Sequence, residues 1–227
     1  MVPARNNTME PEFNRLAPDG ISVYFARMIG LTGELCEEGL LAQNKHIDEC
    51  IEELEAAEVD VMVYGCTTGS LIRGVGYDKE LIDRMKKSTG VPALTTSTAV
   101  LDALKGLCIS RVAVATPYPD ELNMKEREFL EGNGIHVTRI EGLGIPGSIS
   151  AHRPEAGYKL ARKVDSEEAQ GLFISCTNFR TIEIIDKLEK DTGKPVVTSN
   201  QATMWRVLRM ISVNDKIQGY GRLFTEL

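Results

Sequence analysis

The sequence predicts an α/β protein in which two pseudo-symmetric domains, each a parallel sheet flanked by helices, face each other across a cleft. Three observations lead there. Strand and helix signals alternate along the 227 residues, and repeated β-then-α order implies parallel strands with helical crossovers. Two apolar runs end in matched cysteine turns, Val61-Met-Val-Tyr-Gly-Cys-Thr-Thr-Gly-Ser and Gly171-Leu-Phe-Ile-Ser-Cys-Thr-Asn-Phe-Arg, setting Cys66 and Cys176 110 residues apart. Gly90-Val-Pro-Ala-Leu-Thr-Thr-Ser returns 103 residues on as Gly193-Lys-Pro-Val-Val-Thr-Ser-Asn.

Each element follows from its local pattern. Residues 45–57 carry Ile47, Ile51 and Leu54 on one helical stripe. Residues 61–64 are a short apolar strand. A helix over 78–89 is closed by Gly90, which tolerates the left-handed C-cap conformation. A strand at 91–94 leads into a helix at 97–105 that ends at Gly106. Residues 111–115 are a strand and 119–131 a helix, stopped by Gly132-Asn133-Gly134. There follow a strand at 135–140, a helix at 155–164, a strand at 171–175, a helix at 181–192 closed by Gly193, a strand at 196–198 and a helix at 202–210. The repeat divides the chain into a first α/β half, 1–107 with 205–227, and a second, 108–204. It also pairs Arg111-Val-Ala-Val-Ala-Thr-Pro-Tyr with Met1-Val-Pro-Ala-Arg-Asn. The first strand then reads as clipped, and a chain extended upstream is expected to be more stable.

Composition narrows the function. Hydrophobic residues are 42% and charged residues 26%, as in an ordinary soluble globule. No apolar stretch approaches the roughly 20 residues that span a bilayer, and no signal-peptide apolar region is visible. A net charge of −7 argues against nucleic acid as partner. The five cysteines are odd in number and contain no Cys-x-x-Cys pair, so free thiols in a reducing cytoplasm are expected. Three scattered histidines share no ligand spacing, which argues against a zinc site. Gly74-Val-Gly76 lacks the third glycine of a dinucleotide fingerprint, and Gly65-Cys-Thr-Thr-Gly-Ser lacks the lysine of a P-loop.

The tips of parallel strands are where open α/β sheets place their chemistry. Two thiols there suggest one sulfur on each side of a substrate. A cysteine acts as base or nucleophile only as thiolate, which nearby helix N-termini favour; Cys176 lies just ahead of the helix expected from 181, and Cys66 lies in a turn of the same kind. Cys36, Cys50 and Cys108 read instead as small buried hydrophobes. Thr67, Thr68, Ser70, Thr177 and Asn178 flank the sulfurs. With backbone N–H groups they could bind a carboxylate or its enediolate, although turn and capping chemistry favours the same residue types. Tyr118 and Asn6 occupy equivalent loops after strands and could point into the same cleft, or be ordinary loop residues. Arg73 and Arg180 could each pair with a second carboxylate, and Trp205 reads as core.

These residues resemble the aspartate/glutamate racemase superfamily, in the branch containing maleate cis-trans isomerase, arylmalonate decarboxylase and ectoine-utilisation proteins. The resemblance runs nearly end to end and rests on Pro3-Ala-Arg-Asn-Asn-Thr-Met-Glu, Gly65-Cys-Thr-Thr-Gly-Ser, Ala115-Thr-Pro-Tyr, Ser175-Cys-Thr-Asn-Phe-Arg-Thr, Thr198-Ser-Asn-Gln-Ala and Gly219-Tyr-Gly-Arg-Leu-Phe. It implies a cofactor-independent active site between two α/β domains. In racemases of this kind one thiolate removes a Cα proton and the other thiol returns one on the opposite face. In maleate isomerase the first cysteine is thought to add to the double bond. In arylmalonate decarboxylase the first position is glycine, and this chain has Cys66 there. The resemblance assigns carboxylate binding to Asn6, Tyr118 and the Thr67/Thr68 groups. It departs at Gly144-Ile-Pro-Gly-Ser-Ile-Ser-Ala-His-Arg, which lacks the asparagine maleate isomerases carry; Ser148, Ser150 or His152 could substitute.

The expected activity is therefore isomerisation or racemisation of a small carboxylate or dicarboxylate, with Cys66 as base or nucleophile and Cys176 as the partnering acid. Decarboxylation of an aryl malonate is the alternative enzyme, and a dicarboxylate-binding protein without turnover the non-enzyme one. No cofactor, nucleic acid or membrane partner is expected, and the chain is expected to form a dimer or tetramer of itself.

Overall fold

The computed structural model describes residues 1–29, 35–144 and 148–227. Its strands are β1 (Val2–Pro3), β2 (Arg27–Met28), β3 (Met62–Tyr64), β4 (Ala93–Thr95), β5 (Arg111–Thr116), β6 (His136–Gly142), β7 (Gly171–Ile174) and β8 (Val196–Thr198). The second half forms one parallel sheet in the order β6-β5-β7-β8. In the first half β1 pairs with β2 and β3 with β4, again in parallel. Gly65 N donates to Met1 O at 2.8 Å and joins the two pairs, as Ser175 N joins β7 to β5 by donating to Ala115 O at 2.9 Å. The strand order β2-β1-β3-β4 thus repeats that of the second half. Both faces are covered by helices, so Val112, Ala113, Val114, Leu172, Phe173 and Ile174 are all buried. This is why they read as continuous apolar runs rather than as alternation.

The helices are α1 (Met9–Leu16), α2 (Glu37–Gln43), α3 (Ile47–Ala56), α4 (Thr67–Leu71), α5 (Tyr77–Thr89), α6 (Thr96–Gly106), α7 (Asp120–Gly132), α8 (Pro154–Val164), α9 (Ile185–Thr192), α10 (Ser199–Met210) and α11 (Arg222–Glu226). Gly90 and Gly193 close α5 and α9 with φ of 74° and 72°, the expected left-handed caps. α6 and α10 are repeat counterparts with the same start. Thr95 Oγ1 accepts from Thr98 N at 3.2 Å, and Thr198 Oγ1 accepts from Gln201 N at 3.4 Å. The Gln201 side chain completes a capping box by accepting from Thr198 N at 3.0 Å. Because of this cap α10 begins at Ser199, three residues before its apolar pattern suggests. It runs unbroken through position 204. α6 and α10 pack on each other, with Thr203 Oγ1 donating to Thr96 Oγ1 at 3.3 Å. Both helices lie between the sheets and hold the two halves together.

One helix differs in kind from its expectation. Residues 181–192 divide into a 3₁₀ turn, Ile182–Ile184, and α9. The cause is Glu12, whose carboxyl accepts from Thr181 N at 2.8 Å and Ile182 N at 3.4 Å. A remote acid caps these groups, and the α-helix starts four residues later than the apolar pattern indicates. α1, α2, α4 and α11 are additions to the predicted set. Among the described residues no helix is long and apolar enough to cross a membrane.

Candidate active site

β3 delivers Cys66 in extended backbone (φ −145°, ψ 114°), and the residue is the N-cap of α4. Its sulfur accepts from Gly69 N at 3.4 Å and lies 4.0 Å from Thr68 Oγ1. Gly69 is required here. A Cβ on it would stand 3.0 Å from the Cys66 sulfur and would collide with the Tyr64 hydroxyl. Burial pushes the Cys66 thiol above its ordinary 9.0, while hydrogen bonds from Gly69 N–H, Thr68 and Gln43 pull it back.

β7 delivers Cys176 differently. It caps no helix with its own side chain; instead its φ is +94°, a strained value for a residue with a Cβ. Its N–H donates to Ser199 Oγ at 3.0 Å and its sulfur accepts from Asn178 N at 3.4 Å. Burial pushes this thiol up to about 12, against the pull of the Tyr118 hydroxyl and Asn178 N–H, and the charges of Cys66 and Glu126 push the same way as burial. At neutral pH Cys176 holds its proton. The two strand ends are equivalent in topology and burial raises both thiols; they differ in that the Cys66 sulfur caps α4, while Cys176 sits in left-handed backbone and is pushed up to about 12.

The hydroxyl and amide candidates converge on the seam between the halves. Asn6 Nδ2 donates to Thr177 Oγ1 at 2.9 Å, and Thr177 Oγ1 donates to Gly65 O at 3.1 Å. Asn6 Oδ1 accepts from Thr8 N and Met9 N at 3.1 and 3.0 Å, holding the start of α1. Thr67 Oγ1 donates at 3.0 Å to Ser199 Oγ, the same hydroxyl that receives the Cys176 N–H. Asn178 accepts from Asn7 N through its side chain and from Thr8 Oγ1 through its carbonyl. Ser97 Oγ donates to Thr67 O and Asn200 Nδ2 to Thr177 O, both at 3.0 Å, so the repeat extends to these contacts. Thr67, Asn6, Thr177 and Asn178 thus bind the halves together as well as lining the strand ends.

Tyr118 is buried beside Cys176, and each side chain alters the other's proton affinity. Behind it lies a buried acid absent from the sequence-based candidates. Glu126 Oε1 accepts from Ser175 Oγ at 2.6 Å, and Ser175 Oγ lies 3.5 Å from the Tyr118 hydroxyl. Burial pushes Glu126 up to about 8. Glu12, also buried and pushed up to about 7 by burial, accepts from Asn200 Nδ2 at 2.6 Å. On the Cys66 side, Tyr64 donates to Asn44, and Gln43 Nε2 donates to the Tyr64 hydroxyl at 3.3 Å. A lone acid in an amphipathic helix reads as solvated, which conceals Glu12 and Glu126. One signal was available: they stand 114 residues apart, the same offset as Pro3 and Pro117.

Other candidates sit elsewhere. Arg73 lies over the Tyr77 ring, 5.2 Å from its centroid, and Arg180 pairs with Glu183 at 3.4 Å. Ser70 Oγ donates to the carbonyls of Cys66 and Thr67 inside α4. Trp205 is buried, as expected. Cys50 is buried too, but Cys108 is exposed, because the left-handed turn after α6 (φ +57°) turns it outward. Ser148 and Ser150 face each other at 3.2 Å in an exposed position; residues 145–147 of that loop lie outside the described residues.

A family model described as arylmalonate decarboxylase (Amdase) matches residues 1–224. The arylmalonate decarboxylase of Bordetella bronchiseptica is 32% identical over 231 aligned residues, covering 100% of this chain and 95% of its own length. A maleate isomerase of Pseudomonas putida is 27% identical, covering 99% of this chain and 95% of its own length. The crystal structure of the maleate isomerase of Pseudomonas putida S16 superposes with a TM-score of 0.93 at 27% identity, over 99% of this chain and 96% of that one.

Proposed function

The chain belongs to the arylmalonate decarboxylase (Amdase) family, and on that premise we propose that it is a cofactor-independent isomerase of a small dicarboxylate, working through two cysteines. The observation that carries this reading is the pair of buried thiols at equivalent strand ends, whose turns meet at Ser199 Oγ, which accepts from both Thr67 Oγ1 and Cys176 N. A one-sulfur reaction, protonation of an enediolate after loss of carbon dioxide, has no use for Cys66. With maleate as substrate, the Cys66 thiolate adds to one alkene carbon and the alkene electron pair moves into the far carboxylate as an enediolate. The former double bond is then single and rotates. The pair returns, the carbon–sulfur bond breaks, and fumarate leaves. Gly69 N–H and Thr68 support Cys66 as a thiolate. Cys176 faces the reacting carbons as a proton-bearing thiol. Asn6, Thr67, Thr68, Tyr118, Thr177 and Asn178 supply donors for the two carboxylates, whose developing charge fixed donors stabilise.

The test is conversion of maleate to fumarate by the wild type, Cys66→Ser and Cys176→Ser. Both variants are expected to lose at least about 100-fold in kcat: at position 66 a serine hydroxyl is a far poorer anion than a thiolate, and at position 176 it is a far weaker acid than a thiol. Full activity in Cys66→Ser overturns the reading. The 32% identity to an arylmalonate decarboxylase favours a second one, decarboxylation of an aryl malonate. Carbon dioxide release from a panel of aryl malonates, with no fumarate from maleate, would decide for it.

A further inference from the structure

Glu126 is buried on α7 with one hydrogen-bond partner, Ser175 Oγ at 2.6 Å, and its Oε2 has none among the described residues. Ser175 immediately precedes Cys176 and lies 3.5 Å from the Tyr118 hydroxyl. The Tyr118 backbone is held separately: its N–H donates to Thr116 Oγ1 at 3.0 Å, and Asn123 Nδ2 donates to its carbonyl at 3.5 Å. What Glu126 can change is therefore the direction of the hydrogen bonds leading to Tyr118, with the ring staying in place.

Each hydroxyl in that chain has one proton to give. If Glu126 is ionised, Ser175 must donate to the carboxylate, and Tyr118 can satisfy Ser175 only by donating to it, away from Cys176. If Glu126 is protonated, it donates to Ser175, Ser175 donates to Tyr118, and the Tyr118 proton is left for the Cys176 side. Confinement without a cation favours the protonated acid, and burial holds Glu126 at about 8. Tyr118 and Cys176 are the titratable groups that couple to it. Among the elements packed on α7, α4 has no ionisable side chain, and β6 carries His136, Arg139 and Glu141 in exposed or half-exposed positions. Glu12, the repeat counterpart, contacts only N–H donors, at Thr181, Ile182 and Asn200, so its hydrogen bonds cannot reverse.

We propose that Glu126 is a positioning residue: its proton sets the direction of the Glu126–Ser175–Tyr118 chain, so that Tyr118 donates toward Cys176 and the substrate carboxylate beside it. The substrate in this statement rests on the isomerase reading; the direction of the chain does not.

The ratio of kcat at pH 9 to kcat at pH 7, measured on maleate within each protein, tests it. Thiolate formation raises the rate over this interval in every variant, so the ratio is compared between proteins: in the wild type it is expected to be about one tenth of that in Glu126→Gln, the effect of one ionisation centred near pH 8. Glu126→Gln has an amide that still donates but cannot ionise, and Ser175→Ala, which disconnects Glu126 from Tyr118, is expected to match Glu126→Gln. A merely structural role would not move this ratio. A ratio in Glu126→Gln equal to that of the wild type overturns the proposal. If the wild type does not isomerise maleate, the proposed function fails, and the rate of Cys176 alkylation by iodoacetamide in Cys66→Ser replaces kcat in the same comparison. Infrared difference spectra between wild type and Glu126→Gln give an independent reading. They are expected to contain a protonated-carboxyl band at pH 7 that fades near pH 8, and absence of that band at pH 7 also overturns the proposal.

Discussion

Gly69→Ala separates two physical effects of opposite sign. Gly69 lies inside α4, and in a helix alanine is ordinarily about 0.5–1 kcal/mol better than glycine. If propensity governed the site, the variant would be more stable. The added Cβ, however, would come within 3.0 Å of the Cys66 sulfur and against the Tyr64 hydroxyl. Tyr64 is fully buried and tied to Asn44 and Gln43, and Cys66 is anchored on β3, so neither is a flexible end that can swing away. Overpacking of this kind costs about 1–3 kcal/mol, which outweighs the propensity gain and predicts net destabilisation of about 1–2 kcal/mol. The shift would fall on the sulfur itself, and a displacement near 1 Å is enough for a loss of about 100-fold in kcat. Urea unfolding and maleate turnover, measured side by side, check both numbers. A Gly69→Ala protein more stable than the wild type and fully active would refute the claim that Gly69 is there to let the sulfur approach its backbone N–H.

Stability is expected to fall as pH rises. Glu126 is raised from 4.5 to about 8, so the folded state binds more protons than the unfolded chain across that window. Its stabilising share is whole below 4.5 and is lost as pH passes through about 8. At about 1.4 kcal/mol per pH unit this amounts to about 4–5 kcal/mol, and urea unfolding of Glu126→Gln against wild type should give a difference that grows from pH 5 to pH 9; a constant difference contradicts it. Asn6→Ala removes a cap from two backbone N–H groups and leaves Thr177 with one contact fewer, a loss of about 2–3 kcal/mol in the same assay. The Arg206–Asp102 pair at 2.7 Å is one-third exposed on both sides, so a double-mutant cycle should return a coupling below about 1 kcal/mol.

The sheet was legible because its chemistry is local. β5, β7 and β8 are buried on both faces, and such strands leave continuous apolar runs that no surface element imitates. The repeat was legible for the same reason: it recurs in capping residues, Thr95 and Thr198, whose function needs only their own turn. α1 was concealed by Pro11, which breaks a helical pattern on paper but is tolerated in a first turn. The difference between Cys66 and Cys176 was concealed more deeply. Both precede Thr in similar turns, yet one caps α4 while the other takes a φ of +94°, and the N–H groups of the next helix start are held by Glu12, far away in sequence. Glu126 was illegible for a related reason: which face of α7 is dry depends on β7 and Tyr118, and spacing within α7 cannot report that.

The left-handed backbone of Cys176 also bears on how this protein would age under relaxed selection. A Cβ at that angle costs about 1–3 kcal/mol, which glycine would recover. The fold therefore favours, at this one position, a residue that cannot perform the reaction. Only selection for turnover opposes that drift. Copies freed from it are expected to acquire glycine at position 176 early, gaining thermal stability as they lose activity, while Cys66, in unstrained backbone, persists longer.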